Sequence, residues 1–242
     1  MPPYPSELIK TAGIEIPLIG FYDAPDPALF APIVEPKAGT RGCVIAFYES
    51  WLKGETLRIT KDNFGCGGAG RAWCGVEARS REEFIRFLVD DEGLKASHDL
   101  MNRWIDASVP YRREHENILV GPLRESQYAY LKTVTFFVNP DQLALMALGA
   151  QYHSAPEDPP PVISPFGSGC MQLIGVFKDL GIAQAAIGGT DVAMRQYLPP
   201  DTLAFTVTRR MFERLASLDE RSFLTKPFWK RLMKARGKAP RE

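Results

Sequence analysis

The chain has 242 residues, 45% hydrophobic and 24% charged, and its 29 basic and 29 acidic side chains cancel to a formal net charge of zero. That length and balance suit a globular chain with a full core. Zero net charge argues against nucleic acid as the main partner, because neutralising phosphates needs a positive field. No window approaches the roughly 18 consecutive apolar residues of a membrane span. The opening MPPYPSELIK lacks the basic start and apolar core of a secretory signal, so the expected location is the cytoplasm. There the four cysteines stay reduced and serve as packing residues, metal ligands or reactive thiols.

In chain order, residues 1–13 predict an opening segment with a short helix. Residues 14–22 (IEIPLIGFY) predict a strand that ends at the prolines of DAPDP. A short helix or turn follows over 25–33, then the loop VEPKAGT. Residues 43–53 carry Val44, Phe47, Trp51 and Leu52 near helical spacing, and Gly54 supplies a helix end. Residues 55–60 alternate as a half-buried strand does. DNFGCGGAGRAWCG is a glycine-rich turn running into a helix. Ser80 and Glu83 have the S-x-x-E spacing of a capping box before FIRFLV. A second helix is expected over 95–105, strands over 116–123 and 133–138, and a helix over 141–148.

The proline-rich stretch 154–169 reads as a loop, since its prolines supply no amide donors. Beyond it come a helix over 170–180, a strand over 183–187, a helix start near Asp191, a strand over 203–208 and an amphipathic stretch over 209–218. The basic tail from Lys226 reads as a frayed, solvated helix. Alternating strands and helices point to an α/β fold, or a mixed α+β one, with helices packed on a mixed sheet.

The chain also resembles itself. An apolar run meets Pro25-Asp26 in one half and Pro140-Asp141 in the other. A Gly-Cys pair follows, Gly42-Cys43 and Gly169-Cys170, and then a Gly-Gly step, Gly67-Gly68 and Gly188-Gly189. The spacing predicts one domain over 1–242 built from two pseudo-symmetric halves, an internal duplication with repeats at about 14–76 and 133–196. Two such halves meet at a pseudo-two-fold axis, which would bring Cys43 and Cys170 to one site.

The chemistry-bearing candidates follow from that pattern. Gly65, Gly67, Gly68 and Gly70 surround Cys66 in GCGGAG, where glycines allow close backbone approach and a following helix start offers amide donors to an anion. The spacing is neither the dinucleotide fingerprint nor the phosphate loop. Gly188, Gly189, Thr190 and Asp191 form the counterpart step, with a plain helix cap as the competing reading. Cys43, Cys66 and Cys170 each sit beside glycine at an expected helix start. Converging thiolates there would hold an iron–sulfur cluster or another soft metal, against the alternative that cysteine packs as a small buried hydrophobe. Cys74 reads as core. His98 and His115 read as surface residues, and the charge run at 112–116 reads as a solvated face.

Taken together, RGCVIAFYESWLKGETLRIT, FGCGGAGRAWCGV, VGPL, VTFFVNPDQ, SGC and GGTDVAMR resemble the family known as domain of unknown function 169, over most of residues 14–208. That resemblance implies no reaction. Its pattern emphasises cysteines at the positions of Cys43, Cys66 and Cys170, and it often has leucine where Cys74 stands. Three functions stay open. One is a protein with a central thiol site for an iron–sulfur cluster or soft metal. The second is a metal-free binding protein or enzyme for a small anionic ligand. The third is an interaction protein whose repeat is only structural. Whether the chain is an enzyme, and its oligomeric state, are not specified by the sequence.

Overall fold

A computed structural model describes residues 3–37, 42–60, 73–76, 80–167 and 169–237. One mixed, eight-stranded sheet runs through them. Its strands are β1 (Ile19–Ala24), β2 (Ile33–Val34), β3 (Thr56–Ile59), β4 (Asn117–Pro122), β5 (Leu131–Val138), β6 (Val162–Ile163), β7 (Ala185–Gly188) and β8 (Leu203–Thr208). Their spatial order is β2-β3-β4-β1-β5-β8-β7-β6. Outward from the central antiparallel pair β1/β5, the two flanks repeat one pattern. β4 and β8 are antiparallel to the centre, β3 and β7 antiparallel to those, and β2 and β6 run parallel at the edges.

Side chains alternate across a strand, so the sheet has two coated faces. Tyr22, Val134, Phe136, Phe205 and Val207 point to a face covered by α1 (Ser6–Ala12), α5 (Pro140–Gln151), α6 (Arg209–Ala216) and α7 (Pro227–Ala235). Ile19, Phe21, Leu57, Ile59, Ile118, Val120 and Phe137 point to the other. That face is covered by short, irregular pieces: a 3-10 turn at Val44–Phe47 leading into α2 (Tyr48–Leu52), and 3-10 turns at Met171–Leu173 and Val192–Tyr197. Behind them, α3 (Arg81–Arg86), a π-type turn at Phe87–Asp91 and α4 (His98–Ala107) enclose a satellite cluster around Trp73, Phe84 and Met101. Each large apolar side chain buried in these clusters contributes about 1.5–3 kcal/mol.

Local chemistry explains the element ends. Asn139 and Gln142 form a reciprocal capping box with Pro140 at the first helical position of α5. The Gln142 amide also donates to the carbonyls of Ala12 and Gly13, tying the end of α1 to the start of α5. Ser80 caps α3 by accepting from the Glu83 amide at 3.1 Å. Thr208 caps α6, so strand β8 passes directly into a helix.

Several expectations change. The helix expected over 170–180 is a 3-10 turn of three residues followed by turns. Gly175 packs where an added Cβ would lie 2.8 Å from Trp73, so a tertiary contact overrides helical spacing. Residues 154–169 are not wholly irregular: Val162 and Ile163 add a parallel edge strand, after the Pro161 carbonyl has taken the Ala185 amide. The basic tail is not a frayed helix, since Trp229 of α7 is buried in the helical-face core. The first strand starts at Ile19 rather than 14, beyond Pro17.

Candidate functional site

The thiols lie on the irregular face. Cys43 precedes the 3-10 turn Val44–Phe47, and its carbonyl accepts the Ala46 amide. Cys170 precedes Met171–Leu173, and its carbonyl accepts the Leu173 amide. Both Gly-Cys steps therefore open a 3-10 turn rather than the α-helix start expected at each. The turns span only four and three residues, too short for a sizeable helix dipole. Cys170 is fully buried and Cys43 half-buried, and both belong to one apolar cluster with Ile45, Leu173 and Met194. Cys74 does not stand apart from them. It is buried in the same cluster, and its thiol lies 3.7 Å from the Cys170 carbonyl oxygen.

The second Gly-Gly step meets the second Gly-Cys step directly. The Gly189 amide donates to Gln172 Oε1 at 2.8 Å, and Gln172 Nε2 donates to Thr190 Oγ1 at 2.8 Å. Asp191 caps Val192–Tyr197 by accepting from the Ala193 amide, and it also accepts from the Gly169 amide at 3.3 Å. Gly189 has φ +75°, a conformation that glycine adopts without strain. Gly188 lies where an added Cβ would press on Gln172. This step thus has its polar groups occupied by Gln172 and by capping. Gly65, Cys66, Gly67, Gly68 and Gly70 lie outside the described residues. Among the described residues, Cys43, Cys74 and Cys170 belong to no trio of ligand atoms close enough to share one ion.

A second constellation was not legible as a site in the sequence. Asp23 ends the apolar run of β1 with its side chain wholly buried, pointing to the same face as Phe21. Its Oδ2 accepts from the Tyr111 hydroxyl at 2.6 Å and the Glu114 amide at 2.5 Å. Its Oδ1 accepts from the His115 amide at 2.9 Å and faces His115 Nδ1 at 3.1 Å. His115 is therefore anchored rather than loosely superficial, and the 112–116 run is pinned to the sheet rather than solvated throughout. Lys132 Nζ holds Glu114 Oε1 at 2.9 Å. Burial, then the Asp23 hydrogen bond and charge, push the Tyr111 hydroxyl well above the ordinary tyrosine range. The sequence signal was an acid embedded in FYDAP, between residues expected in the core. His98, by contrast, pairs at the surface with Asp90 at 2.7 Å, as its polar helix suggests.

On the helical face, a cavity of about 570 Å³ opens between α1, the start of α5 and α7, with Lys10, Lys226, Lys230 and Trp229 among its lining. Among the described residues, no helix is long and apolar enough to cross a membrane.

A family model described as uncharacterised ArCR, domain of unknown function 169, matches residues 18–217, and the chain belongs to that family. No curated protein and no solved structure matches the chain.

Proposed function

We propose that this protein is a cytoplasmic thiol-centred binding protein. Its site lies on the irregular face of the sheet, and its ligand is an iron–sulfur cluster or another soft metal. The observation that supports this reading is that Cys43, Cys74 and Cys170, from three separate segments, all border one apolar cluster on this face of the sheet. Cys66, eight residues before Cys74, is the further thiol that the sequence offers. Thiolate sulfur is the ligand that soft metals and clusters select. The mirrored strand order supports an internal duplication: a two-fold axis normal to the sheet keeps each face on its own side, so both Gly-Cys steps fall on one face.

The test is metal and acid-labile sulfide analysis of protein purified without oxygen, with its visible spectrum. Bound iron and sulfide, or a stoichiometric soft metal, lost in Cys43→Ser and Cys170→Ser, support the reading. Metal-free, colourless protein overturns it.

A metal-free site for a small anionic ligand is the second reading. It is favoured by the buried indole N–H groups of Trp51 and Trp73, which have no acceptor among the described residues. A buried donor without a partner costs roughly 1–3 kcal/mol, and a ligand acceptor would remove that cost. Native mass spectrometry of the purified protein tests it by the mass of any retained compound.

A further inference from the structure

We propose that Asp23, Glu114 and His115 form a site for a divalent transition-metal ion of zinc or manganese type, separate in its ligand atoms from the thiols. One ligand atom from each residue lies within 4.8 Å of the others. His115 Nδ1 and Asp23 Oδ1 are 3.1 Å apart. Bonds of about 2.1 Å to one ion span such a gap when they meet near a right angle, as adjacent ligands do around an octahedral divalent ion, and a tetrahedral ion needs the two atoms a few tenths of an ångström farther apart. The ion replaces the ring's contact with the carboxylate. It is held by the neutral imidazole through Nδ1, which leaves the proton on Nε2.

The remaining contacts fit the supporting role that hydrogen bonds play around metal ligands. The Tyr111 hydroxyl and the amides of Glu114 and His115 orient the Asp23 carboxylate without using the His115 ring. Lys132 takes Oε1 of Glu114, which leaves its second oxygen for the ion. The Tyr111 amide is bonded to the Trp73 carbonyl at 3.0 Å, which fixes the start of the ligand-bearing segment from the other side. Asp23 is fully buried, whereas the His115 side chain is 31% exposed and Glu114 63%, so an ion has a route from solvent to an anchored carboxylate. One imidazole and two carboxylates make a nitrogen–oxygen set. Such a set suits zinc, manganese or ferrous iron and disfavours copper(I) and iron–sulfur clusters, and three protein ligands leave coordination positions for water or a substrate.

The experiment titrates metal-free protein with Zn²⁺ by calorimetry and with Co²⁺ by absorption. We expect one ion per chain at this site, with a cobalt spectrum that lacks the near-ultraviolet thiolate-to-metal band in the cysteine triple variant. Affinity should fall by at least about tenfold in His115→Ala and in Glu114→Gln, and should persist in the Cys43→Ser/Cys74→Ser/Cys170→Ser triple variant. Both metal-site substitutions lie on partly exposed side chains. Retained circular dichroism and melting temperature separate lost binding from lost fold. No binding by the wild type, binding indifferent to His115→Ala, or binding that is lost in the cysteine triple variant each overturns the proposal, whereas a thiolate band in the wild type that disappears in that variant reports the thiols. That band bears on the thiol site alone, so the two readings fail separately.

Discussion

The Cys74 thiol rests 3.7 Å from the Cys170 carbonyl oxygen, joining positions 96 residues apart in the chain. The contact ties the segment that follows the glycine-rich stretch to the second Gly-Cys step. Both side chains are buried in apolar surroundings. Serine at either position puts a more polar hydroxyl there, so we expect Cys74→Ser and Cys170→Ser each to cost about 1–3 kcal/mol in urea denaturation. Metal content gives a second readout. If these thiols only pack, stability falls while the metal content of anaerobically purified protein stays as in the wild type.

Asp23 is the polar staple of the same face. It accepts from the Tyr111 hydroxyl and two backbone amides and lies against the His115 ring. Asn in its place has one accepting oxygen and one donating amide, so at least one side of the group faces donors with a donor. We expect Asp23→Asn to cost about 3 kcal/mol or more, and Tyr111→Phe, which removes one donor, about 1.5–3 kcal/mol. Equilibrium denaturation measures both. A loss below about 1 kcal/mol for Asp23→Asn would show that the carboxylate is not what pins residues 111–115.

Much of the sheet was legible because burial leaves a run of β-branched and aromatic residues, as in LAFTVT, which is strand β8 residue for residue. The helix expected over 141–148 lies inside α5, whose start at Pro140 is set by the Asn139 cap. The edge strands β2 and β6 were not, because two residues carry no periodicity and each forms only by parallel pairing to a distant partner. The thiol face was half legible. The Gly-Cys steps are visible in the sequence and Cys74 reads as core, but nothing local encodes its contact with Cys170. Asp23 and His115 come together across 92 residues, and a lone histidine in a charged run reads as solvated until the sheet places a buried carboxylate beneath it.

If the mirrored strand order reflects duplication, β1 to β4 should superpose on β5 to β8 with matching strand directions, placing Gly42-Cys43 over Gly169-Cys170. An experimentally determined structure checks this through the rotation relating the halves. A rotation far from a half turn, or Gly-Cys steps that do not coincide, would reduce the repeat to resemblance of sequence alone.

Gly20 in the central strand β1 has no room for a side chain. It pairs with Gly121 across β1 and β4, and a Cβ on Gly20 would run into the ring of Tyr22. That ring cannot move aside easily. It is fully buried, its hydroxyl donates to the Pro122 carbonyl, and the Arg124 amide donates to it at 2.8 Å. We expect Gly20→Ala to cost about 1–3 kcal/mol, as overpacked cores do. The double variant Gly20→Ala/Tyr22→Phe should cost less than the sum of its parts, because the freed ring can shift. Additive losses would mean that the ring is not the obstacle.

Alkaline pH should unfold this protein through phenols that the fold holds protonated. Burial raises the Tyr22 hydroxyl, partly offset by the Arg124 amide and charge. Burial together with Asp23 raises Tyr111, and burial together with Glu213 raises Tyr128. Each stays protonated in the fold to a higher pH than in the unfolded chain, where tyrosine ionises near pH 10. The sign follows from linkage: protons bind more tightly to the folded state, so the stabilisation is complete below pH about 10 and is lost as pH climbs above that value toward the folded-state range. We expect the urea midpoint to be nearly flat between pH about 8 and about 9.5 and to fall steeply above about 10.5. Phenolate absorbance of the native protein should lag that of the unfolded chain over the same window. Tyr111→Phe should shallow the fall, since one of the raised phenols no longer titrates. An unchanged slope in that variant, or native phenolate absorbance that tracks the unfolded chain, would show that these hydroxyls ionise freely in the fold.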